Sequence, residues 1–196
     1  MKTSDIASHS SAGRAFSPRS IVLIGMFAAV LAVISQLSIP MPTGVPITIQ
    51  VFGIALVGTI LGWKLGFCTT IVYILLGAVG LPVFAGFRGG IQVLVGMTGG
   101  YILSWPVMAL LSGIRPKFSN RSLNLAIMIL LSVIGLMIVE FVGALQWSLL
   151  STEKGLGAII AYSFVAFIPK DIIITVIAVI LGNQMRKPLI RGGYLN

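Results

Sequence analysis

The stretch that most restricts this chain is 21–39, nineteen consecutive residues without a charged side chain. Further apolar runs follow at 47–61, 65–79, 91–111, 123–145 and 169–187. Runs of this kind approach the roughly 20 residues that cross a bilayer as helix. With 57% hydrophobic and 9% charged residues and a mean hydropathy of +1.08, the chain has too little polar surface to coat a soluble globule. The expected class is an all-α integral membrane protein in the lipid bilayer, with six transmembrane helices in one domain. The expected divisions are a polar tail at 1–19, the membrane domain at 20–187 and a second tail at 188–196.

The connecting segments orient these spans. The serine-rich tail with Lys2, Arg14 and Arg19, the reversal at Gly62, Trp63 and Lys64, the linker with Arg115, Lys117 and Arg121, and the end with Arg186, Lys187 and Arg191 alternate with segments that are nearly free of cations. Ten of the 13 lysines and arginines then fall on one side, against Arg88 and Lys154 on the other. The positive-inside rule places both termini in the cytoplasm. The proline-rich turn at 40–46, the segment at 80–90 and the outer segment at 157–168 face outward, with the last span opening at Pro169. This charge pattern also accounts for the net +9 without nucleic acid, since the basic residues sit between apolar runs and at the ends, as loop charges do.

Chemistry is concentrated at a few positions. Residues 80–101 set Arg88 among Gly80, Gly86, Gly89, Gly90, Gly96, Gly99 and Gly100. Glycine allows positive φ and close backbone approach, and irregular backbone at membrane depth needs protein or a watered cavity around it. The other ionisable groups within the spans are Glu140, Lys170 and Asp171, each costing roughly 2.5–3.5 kcal/mol at the bilayer centre and so requiring a partner or a purpose. Orientation brings Arg88, Lys170 and Asp171 to the outer side, where Thr48, Gln50 and Tyr101 can join them, with Phe84 or Phe87 for an apolar body. Such a set suits a small, amphipathic, acidic ligand with polar groups at both ends. Glu140 is expected either to pair with Lys170 or to line the cavity.

Enzymatic signatures are missing. There is no G-x-S-x-G, no H-E-x-x-H and no phosphate loop, and the single histidine, His9, lies in the tail. A transport role would therefore need ATP hydrolysed by another chain. On the first span Ala28 and Ala32, beside Gly25 and Ala29, form a small-residue face on which a helix of this chain or of another could pack.

Taken together, the segments Val45, Pro46, Ile47, Thr48, Ile49, Gln50; Gly77 through Phe84 with Ala85, Gly86, Gly89 and Gly90; Thr98, Gly99, Gly100, Tyr101; and Pro169 with Asp171 resemble the BioY family, the biotin-binding S components of energy-coupling-factor (ECF) transporters. The resemblance implies a six-helix S-component fold in a prokaryotic cytoplasmic membrane. It implies biotin as transported substrate, no cofactor, and docking through Ala28 and Ala32 onto a transmembrane coupling protein with two ATP-binding subunits. Combined with the charge placement above, the expected site contains Thr48, Gln50, Phe84, Arg88, Gly89, Gly90, Thr98, Tyr101, Lys170 and Asp171, with Asp171 and Gln50 or Thr48 on the ureido ring, Arg88 or Lys170 on the carboxylate and Phe84 on the thioether ring. The chain departs from the family pattern at Lys170, which precedes the aspartate instead of following it by three residues, at Met97 in place of a proline, and at Glu140. An S component for another small acidic vitamin and a self-sufficient carrier are the alternative readings.

Overall fold

A computed structural model describes residues 17–42, 44–151 and 155–195. The expected roles of Lys2, His9, Arg14 and Lys154 fall outside them. Helix α1 (Pro18–Ser35) begins where Ser17 caps it, the Ser17 hydroxyl accepting from Ser20 N–H at 3.2 Å, with Pro18 in the first turn. A two-stranded antiparallel ribbon, β1 (Ser38–Ile39) and β2 (Ile47–Thr48), closes the proline-rich turn and registers Ser38 against Thr48. Sequence reading did not anticipate this ribbon, because two paired residues leave no periodic pattern.

Helices α2 (Gln50–Leu61) and α3 (Trp63–Ala78) form the expected hairpin, reversing at Gly62 with φ 86°. Nearly every residue of α2 is buried, so it is the central strut of the domain, packed against α1, α3, α5 and α8. At its C-terminal end the carbonyls lack intrahelical partners. Two arginines meet them: Arg115 Nη2 donates to Thr59 O and Arg186 Nη1 to Ile60 O, each at 2.5 Å.

The run at 91–111 is not one helix. It divides into α4 (Ile91–Val95) and α5 (Gly99–Ser112), with Gly96 extended between them. Two features hold the break. Gln146 Nε2 donates to the freed carbonyls of Leu94 and Gly96 at 2.9 and 2.7 Å, and Gly99 and Gly100 allow the backbone to approach so closely that an added Cβ would lie 1.7 Å from Leu94 O and 2.5 Å from Val142 O.

Helix α6 (Arg121–Leu150) starts at Asn120, whose side chain accepts from Ser122 and Leu123 N–H at 2.9 and 3.2 Å. The expected outer segment at 157–168 is itself helical, as α7 (Leu156–Ala166). Helix α8 (Ile168–Arg191) carries Pro169 in its first turn and extends four residues past the expected boundary at 187. Of these helices α1, α6 and α8 are long and apolar enough to cross a membrane, while α2, α3 and α5 are apolar but shorter.

The small-residue face of α1 divides in two. Ala28 is 1% exposed and belongs to the core, and Ala32 is half-buried against it. Gly25 and Ala29 are the small residues of α1 that stand exposed.

Candidate functional site

Five separate parts of the chain converge on one pocket at the end of the bundle where α2 and α8 begin. The ribbon and the start of α2 supply Thr48 and Gln50; the loop after α3 supplies Phe84 and Arg88. Thr98 and Tyr101 come from the α4–α5 break, Glu140 from the middle of α6, and Lys170 and Asp171 from the first turn of α8. The break explains how Thr98 and Tyr101 reach it: a continuous helix over 91–111 would have no reason to expose these two beside a gap in its backbone.

Lys170 and Asp171 form an ion pair, and Lys170 Nζ also donates to Thr48 O at 2.6 Å. Helix and ribbon are thereby tied through one ammonium group. The Asp171 carboxylate also lies at a helix N-terminus, where the backbone dipole favours negative charge. Its residue is 4% exposed. The sequence left Glu140 either pairing with Lys170 or lining the cavity, and the second holds: Glu140 is buried on the pocket wall, and its Oε2 has no hydrogen-bond partner among the described residues. Gln50 Nε2 donates to Tyr73 Oη at 3.4 Å, and Tyr73 Oη donates onward to Val83 O at 2.9 Å.

Apolar walls surround these groups. Phe84 is 1% exposed and stands edge-on to Tyr73, with ring centroids 5.7 Å apart; Trp105 lies 5.9 Å from Tyr73 on another side. Tyr101 meets Phe167 edge-on at 6.5 Å. Gly77 makes room for the Phe84 ring, since a Cβ there would sit 2.1 Å from it.

Arg88 is exposed at the mouth. Its Nε donates to Ala85 O at 3.1 Å, and among the described residues it forms no ion pair. The pocket thus presents two cations and two carboxyl groups, with one cation already matched to a carboxylate and the other held at the rim. The two glycines expected in the site serve differently. Gly89 lies in a neighbouring groove beside Gln92, and an added Cβ would lie 2.2 Å from Leu81 O; Gly90 does not line the pocket, and its N–H donates to Gly77 O at 2.7 Å. Both shape the loop that carries Arg88.

One participant escaped sequence reading. Gln36, just beyond α1, holds the loop by both ends of its amide: Nε2 donates toward Phe84 O at 3.3 Å, and Oε1 accepts from Phe87 N–H at 2.9 Å. Ser35 Oγ reaches Val83 O at 2.5 Å. The only available signal was a glutamine near the end of an otherwise largely apolar run. Trp105, Val139 and Phe167 also line the pocket without having been singled out, because apolar residues in a membrane segment look alike whichever way they face.

Comparison with known proteins then decides the family. The family model described as "BioY family" matches residues 6–191. The chain belongs to the BioY family. Among BioY relatives, a probable biotin transporter from Pyrococcus horikoshii is 35% identical over 169 residues, covering 86% of this chain and 96% of that one. A biotin transporter from Thermotoga maritima is 36% identical over 171 residues, with coverage of 86% and 96%. The fold agrees with a crystal structure of the S-component for biotin from an ECF-type ABC transporter, at a TM-score of 0.74 and 29% identity, covering 88% of this chain and 95% of that one.

Proposed function

We propose that this chain captures biotin with high affinity as the substrate-specific subunit of an ECF-type transporter, a binding protein and not an enzyme. The observation that carries the reading is the matched chemistry of the pocket: a buried acid–lysine cluster at one end, aromatic walls between, and a rim arginine at the other. A ureido ring has two N–H donors and one carbonyl acceptor. Asp171 and the free Oε2 of Glu140 are acceptors for the former, while Gln50 or Thr48 supplies the donor for the latter. Phe84 packs on the thioether ring. Arg88 takes the carboxylate, because Lys170 is already engaged by Asp171 and Thr48 O. Thr98 and Tyr101 complete the wall.

Helices α1, α2, α3, α5, α6 and α8 serve as the six spans, with both termini in the cytoplasm and the pocket facing outward across the cytoplasmic membrane of a prokaryote. Charge placement supports this orientation. The partners are a transmembrane coupling protein and two ATP-binding subunits, and the exposed Gly25 and Ala29 face of α1 is the side open to them. Mass spectrometry of the molecule released from the purified, denatured protein tests the substrate. Biotin is expected; another vitamin in its place refutes the assignment. Uptake into proteoliposomes containing this chain alone would instead establish a self-sufficient carrier.

A further inference from the structure

A second cavity lies at the opposite ends of the same helices. It is a cleft of about 1060 Å³ between the start of α1, the α2–α3 reversal, the segment after α5 and the end of α8. Arg19, Lys64, Arg115, Lys117 and Arg186 line it, and no aspartate or glutamate among the described residues does. Surface lysines alone would be unremarkable, but two of these cations are set into the fold. Arg186 is 8% exposed, and Arg115 is half-buried with its Nη atoms on Thr59 O and Asn183 Oδ1 while its Nε has no hydrogen-bond partner among the described residues. Burial first, and the neighbouring Arg186 second, push the Arg115 guanidinium down to about 10. The Arg115 Nε–H, half withdrawn from water and unmatched among the described residues, has its cost of burial offset if an anion joins it.

The cleft's other walls identify the kind of anion. Leu61, Leu65, Leu110 and Ile114 line it beside the cations. Trp63 and Tyr194 stand 50% and 57% exposed at its edge, and Ile21 and Val22 project from α1 next to it at 60% and 67%. Half-exposed aromatic residues beside apolar helix surface mark the headgroup level of a bilayer. An inorganic ion would use only the basic half of this cleft. A molecule with a phosphate next to hydrocarbon would use both.

We infer that this cleft seats the phosphodiester headgroup of an anionic phospholipid, with Lys64, Arg115 and Lys117 on the phosphate and the acyl chains along Ile21 and Val22. The site is separate from the biotin pocket, so the inference stands whichever ligand that pocket takes. The test uses the full chain purified in uncharged detergent and titrated with phosphatidylglycerol, phosphatidylcholine or inorganic phosphate. Retention is read by native mass spectrometry, and contact by quenching of tryptophan fluorescence with brominated acyl chains. Phosphatidylglycerol should be retained in preference to phosphatidylcholine. The exposed pair Lys64→Gln and Lys117→Gln should together weaken it about thirtyfold, at the usual contribution of each basic residue near an anionic headgroup, while biotin affinity is unchanged. Equal retention of the two lipids, or an unaltered phosphatidylglycerol affinity in the double variant, overturns the inference. Inorganic phosphate binding as tightly as phosphatidylglycerol would make this a free-anion site and overturn the lipid assignment.

Discussion

Replacing Arg88 by glutamine separates the two ends of the proposed biotin pocket. An ion pair at about 4 Å is worth roughly 4 kcal/mol at an effective dielectric of 20 and roughly 1 kcal/mol in bulk water. Arg88 sits at an exposed rim, so the value belongs between these limits, near the roughly 1.5–3 kcal/mol of a hydrogen bond to a charged group. Taking about 2 kcal/mol, Arg88→Gln should weaken biotin about thirtyfold. Biotin amide, which keeps the ureido and thioether rings but carries no charge, should lose no more than about 1 kcal/mol, about fivefold. Isothermal titration of both ligands against both proteins gives the coupling directly. The thermal midpoint should not move, since among the described residues the Arg88 side chain bonds only to Ala85 O, three residues away. Equal losses for acid and amide would mean that Arg88 shapes the loop without meeting the carboxylate. An acid-selective loss in Lys170→Gln, with none in Arg88→Gln, would move the carboxylate to the other cation.

Three further variants probe the rest of the fold. Asp171→Asn retains the side-chain shape but removes the charge that holds Lys170, and biotin affinity measured by calorimetry should fall by about tenfold or more, the scale of a lost charge-assisted hydrogen bond. Gly77→Ala drives a Cβ to 2.1 Å from a Phe84 ring that Tyr73 hems in, so thermal unfolding should show a destabilisation of about 1–3 kcal/mol together with weakened binding. Ala28→Trp should lower the thermal midpoint clearly because its site is in the core, whereas Ala29→Trp should stay within about 0.5 kcal/mol of the parent and impair only co-purification with the coupling and ATP-binding subunits.

What the amino-acid order revealed, and what it concealed, follows from the solvent. In a bilayer the outside of a helix is as apolar as its core, so hydrophobic periodicity cannot say which face is buried. Ala28 and Ala29 are equivalent as letters, yet one is enclosed and the other open. The glycines at 96, 99 and 100 marked irregular backbone, yet 91–111 still read as one span, because the partner that satisfies the freed carbonyls, Gln146, lies fifty residues on. Charged residues were the opposite case. Each is so unfavourable in lipid that its position alone announces a site, which is why Arg88, Lys170 and Asp171 could be assembled before any coordinates, and why Glu140 stood out without a settled role. The ribbon holding Thr48, and the reach of Gln36 to Phe87, depend on neighbours distant in the chain and had no local signature.

The grip of Gln36 on the loop has a kinetic corollary. Its links to Phe84 and Phe87 join uncharged groups, so ionic strength leaves their strength almost untouched. Arg88, at the rim of the same loop, attracts an approaching anion through a field that dissolved ions damp over about 8 Å at physiological strength. On the proposed site, added salt should therefore slow entry of the anionic vitamin and weaken its Arg88 contact, while the Gln36 links that hold the loop in shape stay almost unchanged.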